Sequence, residues 1–162
     1  MLLKGINDED FVNYKYASMF VICHSCTFKC DKLSGKQVCQ NSTLANSPDI
    51  SISIGQLVER YLGNPISKAV VFGGLEPFDD IENVLQFIFE LRANNCEDDV
   101  VIYTGYTEEE IMKDFKKQYE ELIAYENIII KFGRFIPDDE EHYDEILGVK
   151  LKSNNQYAKR IS

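Results

Sequence analysis

Basic residues are scarce in this chain: 17 Lys and Arg stand against 27 Asp and Glu among 162 residues, a formal net charge of −10. Generic nucleic-acid binding and docking on an anionic membrane surface both call for a basic patch, so the deficit argues against each. No apolar run approaches the roughly 18 residues that a membrane span needs. The opening segment, MLLKGINDED, turns acidic early and carries no signal-peptide apolar region, so a cytoplasmic location is expected. Internal repeats, low-complexity segments and domain linkers are also missing, and the length suits one domain covering 1–162. What is present is a hydrophobic content of 44%, with 10 Phe and 9 Tyr, enough for a real core and too much for a disordered chain. Five cysteines break the otherwise plain picture, because four of them (Cys23, Cys26, Cys30 and Cys39) fall within seventeen residues while Cys96 stands apart. In a reducing compartment such a cluster of thiols more often holds a metal or an iron–sulfur cluster than forms disulfides.

The hydrophobic pattern alternates between two periods. Met19–Cys23 is a short apolar run that reads as a buried strand, and residues 25–51 read as a long functional loop held by its cysteines. Ser53 and Gln56 have capping-box spacing ahead of a helix with apolar positions Ile54, Leu57, Val58, Tyr61 and Leu62, closed by Gly63 at C′. Ala69–Phe72 is the next strand and runs directly into Gly73-Gly74. A helix starting at Asp79-Asp80 and ending near Asn94-Asn95 follows, then the strand Val100–Tyr103 ending at Thr104-Gly105. Thr107 and Glu110 form a second capping box, and Ile111, Phe115, Tyr119, Leu122 and Ile123 mark one helix. Residues 127–132 make a further strand ending in Gly133, 146–151 a last short one, and the tail SNNQYAKRIS reads as polar. Strand, glycine turn, helix, strand is the repeat of an α/β fold with a mainly parallel sheet. Ligands bind at the carboxyl ends of such strands, so Cys23, Gly73-Gly74, Thr104-Gly105 and Gly133 are expected to gather on one rim.

Thiolates suit both zinc and iron–sulfur clusters, and spacing alone does not choose between them. Pairing Cys23 with Cys26 and Cys30 with Cys39 gives a four-thiolate zinc site, although the second interval is wide. Structural zinc, however, usually staples domains that lack a core. Three thiolates on a 4Fe–4S cluster leave one iron open for an exogenous ligand, and Lys29, Lys32 and Lys36 stand ready to offset its negative charge.

The segment MFVICHSCTFKCDKLSGKQVCQNSTLA resembles the cluster loop of radical S-adenosylmethionine (SAM) enzymes, specifically the activating proteins of anaerobic ribonucleotide reductase. In that family a strand leads into three cysteines followed by an aromatic residue and Asn. Cys26 and Cys30 match the first pair. Cys39-Gln40-Asn41 matches the third ligand across a six-residue expansion, with Cys23 as the substitute. Gly73-Gly74-Leu75-Glu76-Pro77 resembles the segment that binds the SAM amino group, with Leu75 interrupting it. Tyr103-Thr104-Gly105-Tyr106 is similar to a turn ending a middle strand of the activating proteins. Gly133-Arg134-Phe135 and Ser153-Asn154-Asn155-Gln156 resemble two C-terminal segments, the first having lost its Asp and Pro, which changes the surroundings of Lys131 and Arg134.

This resemblance, over residues 17–157, implies a partial open (β/α) barrel with a 4Fe–4S cluster on Cys26, Cys30 and Cys39. It implies SAM contacts at Gly73, Gly74, Glu76, Thr104, Tyr106 and Asn155, and reductive cleavage of SAM to a 5′-deoxyadenosyl radical. The implied partners are a glycyl radical enzyme, an anaerobic ribonucleotide reductase, and an electron donor such as flavodoxin or ferredoxin. A barrel of this length is open and wants a large partner to cover it. Two alternatives stand beside this reading: a radical SAM enzyme acting on another peptide or a small molecule, and a non-catalytic zinc or iron–sulfur interaction module. Cys96 is expected to be structural, and His24 and His142 to have no chemical role. Glu76 alternatively stabilises a helix N-terminus. Phe87, Phe89, Phe115 and Tyr119 read as core.

Overall fold

Short runs of Val, Ile and Phe dictate the centre of the molecule, because β-branched and aromatic side chains pack well on a pleated surface covered on both sides. A computed structural model describes Met1–Ser162. It begins with β1 (Leu2–Asp10), β2 (Ser18–Cys23), α1 (Lys29–Ser34), α2 (Ser42–Ala45), β3 (Ile50–Ser51), α3 (Ile54–Leu62) and β4 (Ala69–Gly73). After a 3-10 turn at Pro77–Asp80 come α4 (Ile81–Ala93), β5 (Asp99–Tyr103), α5 (Glu108–Asp114), α6 (Lys116–Ile123) and β6 (Ile128–Phe132). The chain ends with β7 (His142–Asp144), β8 (Val149–Leu151) and β9 (Tyr157–Arg160).

One seven-stranded sheet has the order β3-β1-β2-β4-β5-β6-β9, and β7 and β8 form a separate hairpin. The four central strands β2, β4, β5 and β6 are mutually parallel, while β1 and β9 flank them antiparallel. The expected α/β class with a mainly parallel sheet is therefore present. Sequential neighbours joined by crossovers of one hand place the helices on one face. Their apolar stripes pack there with Val70, Phe72, Val100, Ile102, Ile128 and Ile130 as the main core. Alternate residues Ala69, Val71, Val101 and Ile129 point the other way, under Tyr14, Leu147 and Leu151. Phe72 and Phe87 meet edge to face with centroids 5.2 Å apart, confirming Phe87 as core, whereas Phe89 lies on the outer face of α4 and is 55% exposed. No helix is long and apolar enough to cross a membrane.

Both capping boxes form as the spacing requires, Ser53 with Gln56 and Thr107 with Glu110. Several boundaries differ from the sequence-based expectation. Gly63 is the C-cap itself, with right-handed φ −75° rather than a left-handed C′. The helix expected from Asp79 begins as a 3-10 turn, because Pro77 and the Glu76 cap tighten its first residues. The helix expected through Phe115 breaks there (φ −132°) into α5 and α6. Residues 25–51 hold two short helical turns and β3. The two antiparallel strands that flank the parallel centre, β1 and β9, are invisible as strands in the sequence: the first reads as acidic and the second as a polar tail.

Register aligns the strand ends. Ile22 pairs with Gly73, Phe72 with Ile102, and Tyr103 with Lys131, so the segments that follow β2, β4, β5 and β6 emerge along one edge.

Candidate functional site

A cavity of about 580 Å³ opens at that edge. Its walls include Cys26, Thr27, Lys29, Cys30, Cys39, Gln40 and Asn41 from the loop after β2, and Gly74, Leu75 and Glu76 from the turn after β4. Thr104, Gly105 and Tyr106 come from the turn after β5, with Lys131, Gly133, Arg134 and Phe135 from the end of β6. The β8 hairpin (Val149–Lys152), Val12-Asn13 and Gln156 complete it. Of the expected rim, Gly74, Thr104-Gly105 and Gly133 line one continuous pocket, and Cys23 and Gly73 do not.

Two groups tie the cysteine loop to the sheet. The Glu76 amide donates to Ser25 O at 2.9 Å. The Thr27 amide donates to Asp79 Oδ2 at 2.9 Å, and Asp79 Oδ1 accepts from the Tyr106 hydroxyl at 3.1 Å. Asp79, expected only as a helix start, is therefore a brace between the loop and the β5 turn. Its capping-type position carried no sign of this, since the partners are 52 and 27 residues away.

Glu76 is buried, and it accepts from Thr104 Oγ1 at 2.7 Å, Gly105 N at 2.9 Å and Phe78 N at 3.1 Å. Burial pushes its carboxyl up to about 7, opposed by these hydrogen bonds. It caps the 3-10 turn, as its structural alternative required. A carboxylate has about four acceptor sites, so roughly one remains for a ligand. Lys131 is also buried; its ammonium donates to Gly133 O at 2.7 Å, and burial pulls it down to about 8 against the attraction of Glu76. Tyr106 carries Lys29 Nζ 4.3 Å and the Arg134 guanidinium 5.6 Å from its ring centroid. Its ring faces thus serve cations, and Phe78 and Phe115 meet it edge-on.

Gly74 and Gly133 are the turns that glycine alone serves. Gly133 has φ +96°, and a Cβ there would fall 2.7 Å from the Asn155 carbonyl oxygen. Gly133→Ala must move backbone, and it is expected to destabilise by at least about 2 kcal/mol, lowering Tm by about 4–8 °C. A calorimetric Tm within 1–2 °C of wild type would refute that packing.

Not every expected contact lies on the cavity. Gly73 is buried one residue below it, where a Cβ would press on Phe20 and Tyr103. Asn155 is exposed outside it and donates to Arg134 O at 2.9 Å, so it supports the Arg134 segment from behind. Cys23 sits at the end of β2 inside the main core, 2% exposed, and burial drives its thiol far up. It does not line the cavity, so it stands apart from the three other loop thiols, which do. Cys96 lies by the α4 terminus against the core. His24 is 4.0 Å from the Asp49 carboxylate, and His142 is in β7.

Cys26, Cys30 and Cys39 are all partly exposed free thiols on the cavity wall. Burial pushes Cys26 up to about 12 and Cys30 to about 11, and Cys39 adds to the latter. Loading a metal must therefore expel those protons. No three His, Cys, Asp or Glu side chains converge closely enough to hold one metal ion between them. A four-iron cluster is wider than an ion, and thiolates at three of its corners need not converge on a point. The Phe28 amide also donates to Cys26 Sγ at 3.3 Å, the type of contact that stabilises a ligating sulfur. The donor set and its setting fit such a cluster.

A family model described as a 4Fe-4S single cluster domain matches residues 16–158. The chain belongs to that family. Within this iron–sulfur domain the thiols available on the cavity are Cys26, Cys30 and Cys39. No curated protein and no solved structure matches the chain significantly. Around these thiols the wall carries Lys29, Lys131, Arg134, Lys150 and Lys152 against one carboxylate, Glu76, with Arg134 paired to Glu110 at 2.8 Å and Lys152 to Glu141 at 2.6 Å. Of the three lysines expected to offset cluster charge, Lys29 lines the cavity, while Lys32 and Lys36 are exposed away from it. The short strand expected at 146–151 is present as β8, but its place on the cavity, like that of the Val12 loop, has no signal in the sequence, because tertiary packing alone brings both to the strand ends.

Proposed function

We propose that this iron–sulfur domain is a radical SAM enzyme built on a partial, open (β/α) barrel. The observation that carries the reading is that the Cys26/Cys30/Cys39 loop and the segments at Gly74, Glu76, Thr104 and Tyr106 share one cavity at the carboxyl ends of parallel strands. When bound, the cluster supplies one electron to the sulfonium of SAM. The chain's own groups bind, orient and shield. Gly74, with φ +76° and Ile22 2.7 Å from where a Cβ would lie, brings bare backbone to the wall beside the loop. The free acceptor site on Glu76 and the adjacent turn carbonyls suit an ammonium. Lys29, held over the Tyr106 ring, offsets the charge of thiolates and cluster, while Arg134 on the same ring is paired with Glu110. The β8 hairpin and the Val12 loop add to the cavity wall, and closing it against water falls to the partner.

The target we assign is a backbone glycine of a large partner, an anaerobic ribonucleotide reductase. Flavodoxin or ferredoxin would serve as electron donor in the cytoplasm. The unclosed sheet, with the cavity opening along its strand ends, supports a partner that covers it. The test is anaerobic reconstitution with iron and sulfide, then SAM and dithionite, with and without the reductase. A brown protein releasing 5′-deoxyadenosine is expected, together with a glycyl radical signal on the reductase. A colourless protein holding one zinc would overturn the proposal. A brown protein that never cleaves SAM would make the chain a non-catalytic module, and cleavage without a glycyl radical would move the target to another peptide or small molecule.

A further inference from the structure

The nine-residue step from Cys30 to Cys39 is far too long for a tight ligand loop, yet both thiols face one cavity. The chain solves this with one side chain. Asp31 lies in the first turn of α1, beside Cys30. Its Oδ1 accepts from the Val38 amide at 2.8 Å and from the Cys39 amide at 2.8 Å. The same oxygen lies 3.9 Å from the Cys30 sulfur. Gly35, with φ +69°, ends α1 and reverses the chain. Ser34 Oγ donates to Lys36 O at 2.8 Å and holds that reversal. The inserted residues thus form a closed loop that returns to its own start, and Asp31 is the only side chain that bonds both the return strand and the cavity side. No ion pair competes for Asp31, so both of its short bonds serve this purpose.

We propose that Asp31 is the positioning residue that delivers Cys39 to the cavity as the third thiolate, which compensates for the expanded loop. This rests on the reading that Cys26, Cys30 and Cys39 hold the cluster. A carboxylate that takes two adjacent amides fixes the peptide plane between Val38 and Cys39, and with it the direction of the Cys39 Cα–Cβ bond. Removing the acceptor leaves Cys39 on a long tether whose end samples many positions.

The test compares the full chain with Asp31→Ala and Asp31→Asn, since Asn keeps an Oδ1 acceptor for both amides while its second oxygen becomes an uncharged NH2 donor. Hydrogen exchange at the Val38 and Cys39 amides is read before reconstitution, and iron per chain after it. Asp31→Ala is expected to speed exchange at both amides about tenfold and to reduce bound iron by at least about half. Asp31→Asn is expected to keep both near wild type. Circular dichroism at the wild-type value keeps misfolding out of the comparison. Full iron with protected amides in Asp31→Ala would overturn the proposal, as would an Asp31→Asn chain that loses iron as badly as Asp31→Ala. A wild-type chain that takes up no iron would overturn the ligand assignment instead, and the amide data tell the two failures apart.

Discussion

Cys39→Ala is expected to cut the iron of the anaerobically reconstituted protein from about four per chain to below about one, while Cys23→Ala leaves it near about four. The two cysteines compete on sequence grounds alone, since Cys23 and Cys39 are both within reach of the Cys26 and Cys30 pair along the chain. Burial separates them. Cys23 packs at the end of β2 among Leu3, Val21 and Phe72, and its thiolate would stand unsolvated in the apolar core. To ligate, the β2 terminus would have to peel away from β1 and β4, breaking the Leu3–Cys23 and Ile22–Gly73 pairings. Cys39 needs no such movement. Its loop already returns to the cavity wall. Cys23→Ala instead leaves a small cavity and is expected to destabilise by about 1–2 kcal/mol. Iron and sulfide analysis with the visible absorption of the cluster checks both. Iron lost in Cys23→Ala and retained in Cys39→Ala would reverse the assignment.

Much of this architecture was legible because the local signals agree with one another. The apolar runs at β4, β5 and β6 each end in a glycine turn, the run at β2 ends in the cysteine loop, and the two capping boxes open α3 and α5. The rim followed from those ends alone. The unseen parts depend on tertiary contacts. β1 pairs along its length with β2, yet only Leu3 and Asp10 of its nine residues are buried, so its sequence reads as polar. β9 buries a single side chain, Ala158, and besides its backbone ladder meets β6 where the Tyr157 ring packs on Phe132, centroids 5.4 Å apart. Phe115 breaks its helix because its ring packs against Phe78 and Tyr106. In the site, the loop cysteines were visible by spacing, but only three-dimensional placement removed Cys23, moved Asn155 behind the wall and gave Asp79 its bracing role.

Glu76→Gln is expected to remove a pH-dependent part of stability worth roughly 3 kcal/mol, seen as the difference between the two proteins' Tm profiles between pH 4.5 and about 7. Burial raises the Glu76 carboxyl from 4.5 to about 7. In that window the folded chain keeps a proton that the unfolded chain has lost. Folding therefore takes up a proton, and the contribution is fully present below pH 4.5 and lost as pH rises through about 7. Lys131 behaves with the opposite slope. Its ammonium is pulled down from 10.5 to about 8, so the folded chain releases a proton that the unfolded chain keeps between those values, and stability rises with pH there. The two groups together make the cavity floor least stable between about pH 7 and 8, where both are charged and neither is solvated. Such a minimum is expected of a buried polar floor kept for binding rather than for stability. Surface carboxylates lowered by their partners, Asp8 beside Arg60 and Glu108 beside Lys159, slope the other way, but water screens them. Taking the wild-type minus Glu76→Gln difference cancels their share. That difference should fall by about 6–12 °C in Tm across the window, and a flat difference would show that Glu76 ionises at an ordinary carboxylate pH and that the cavity floor is wet.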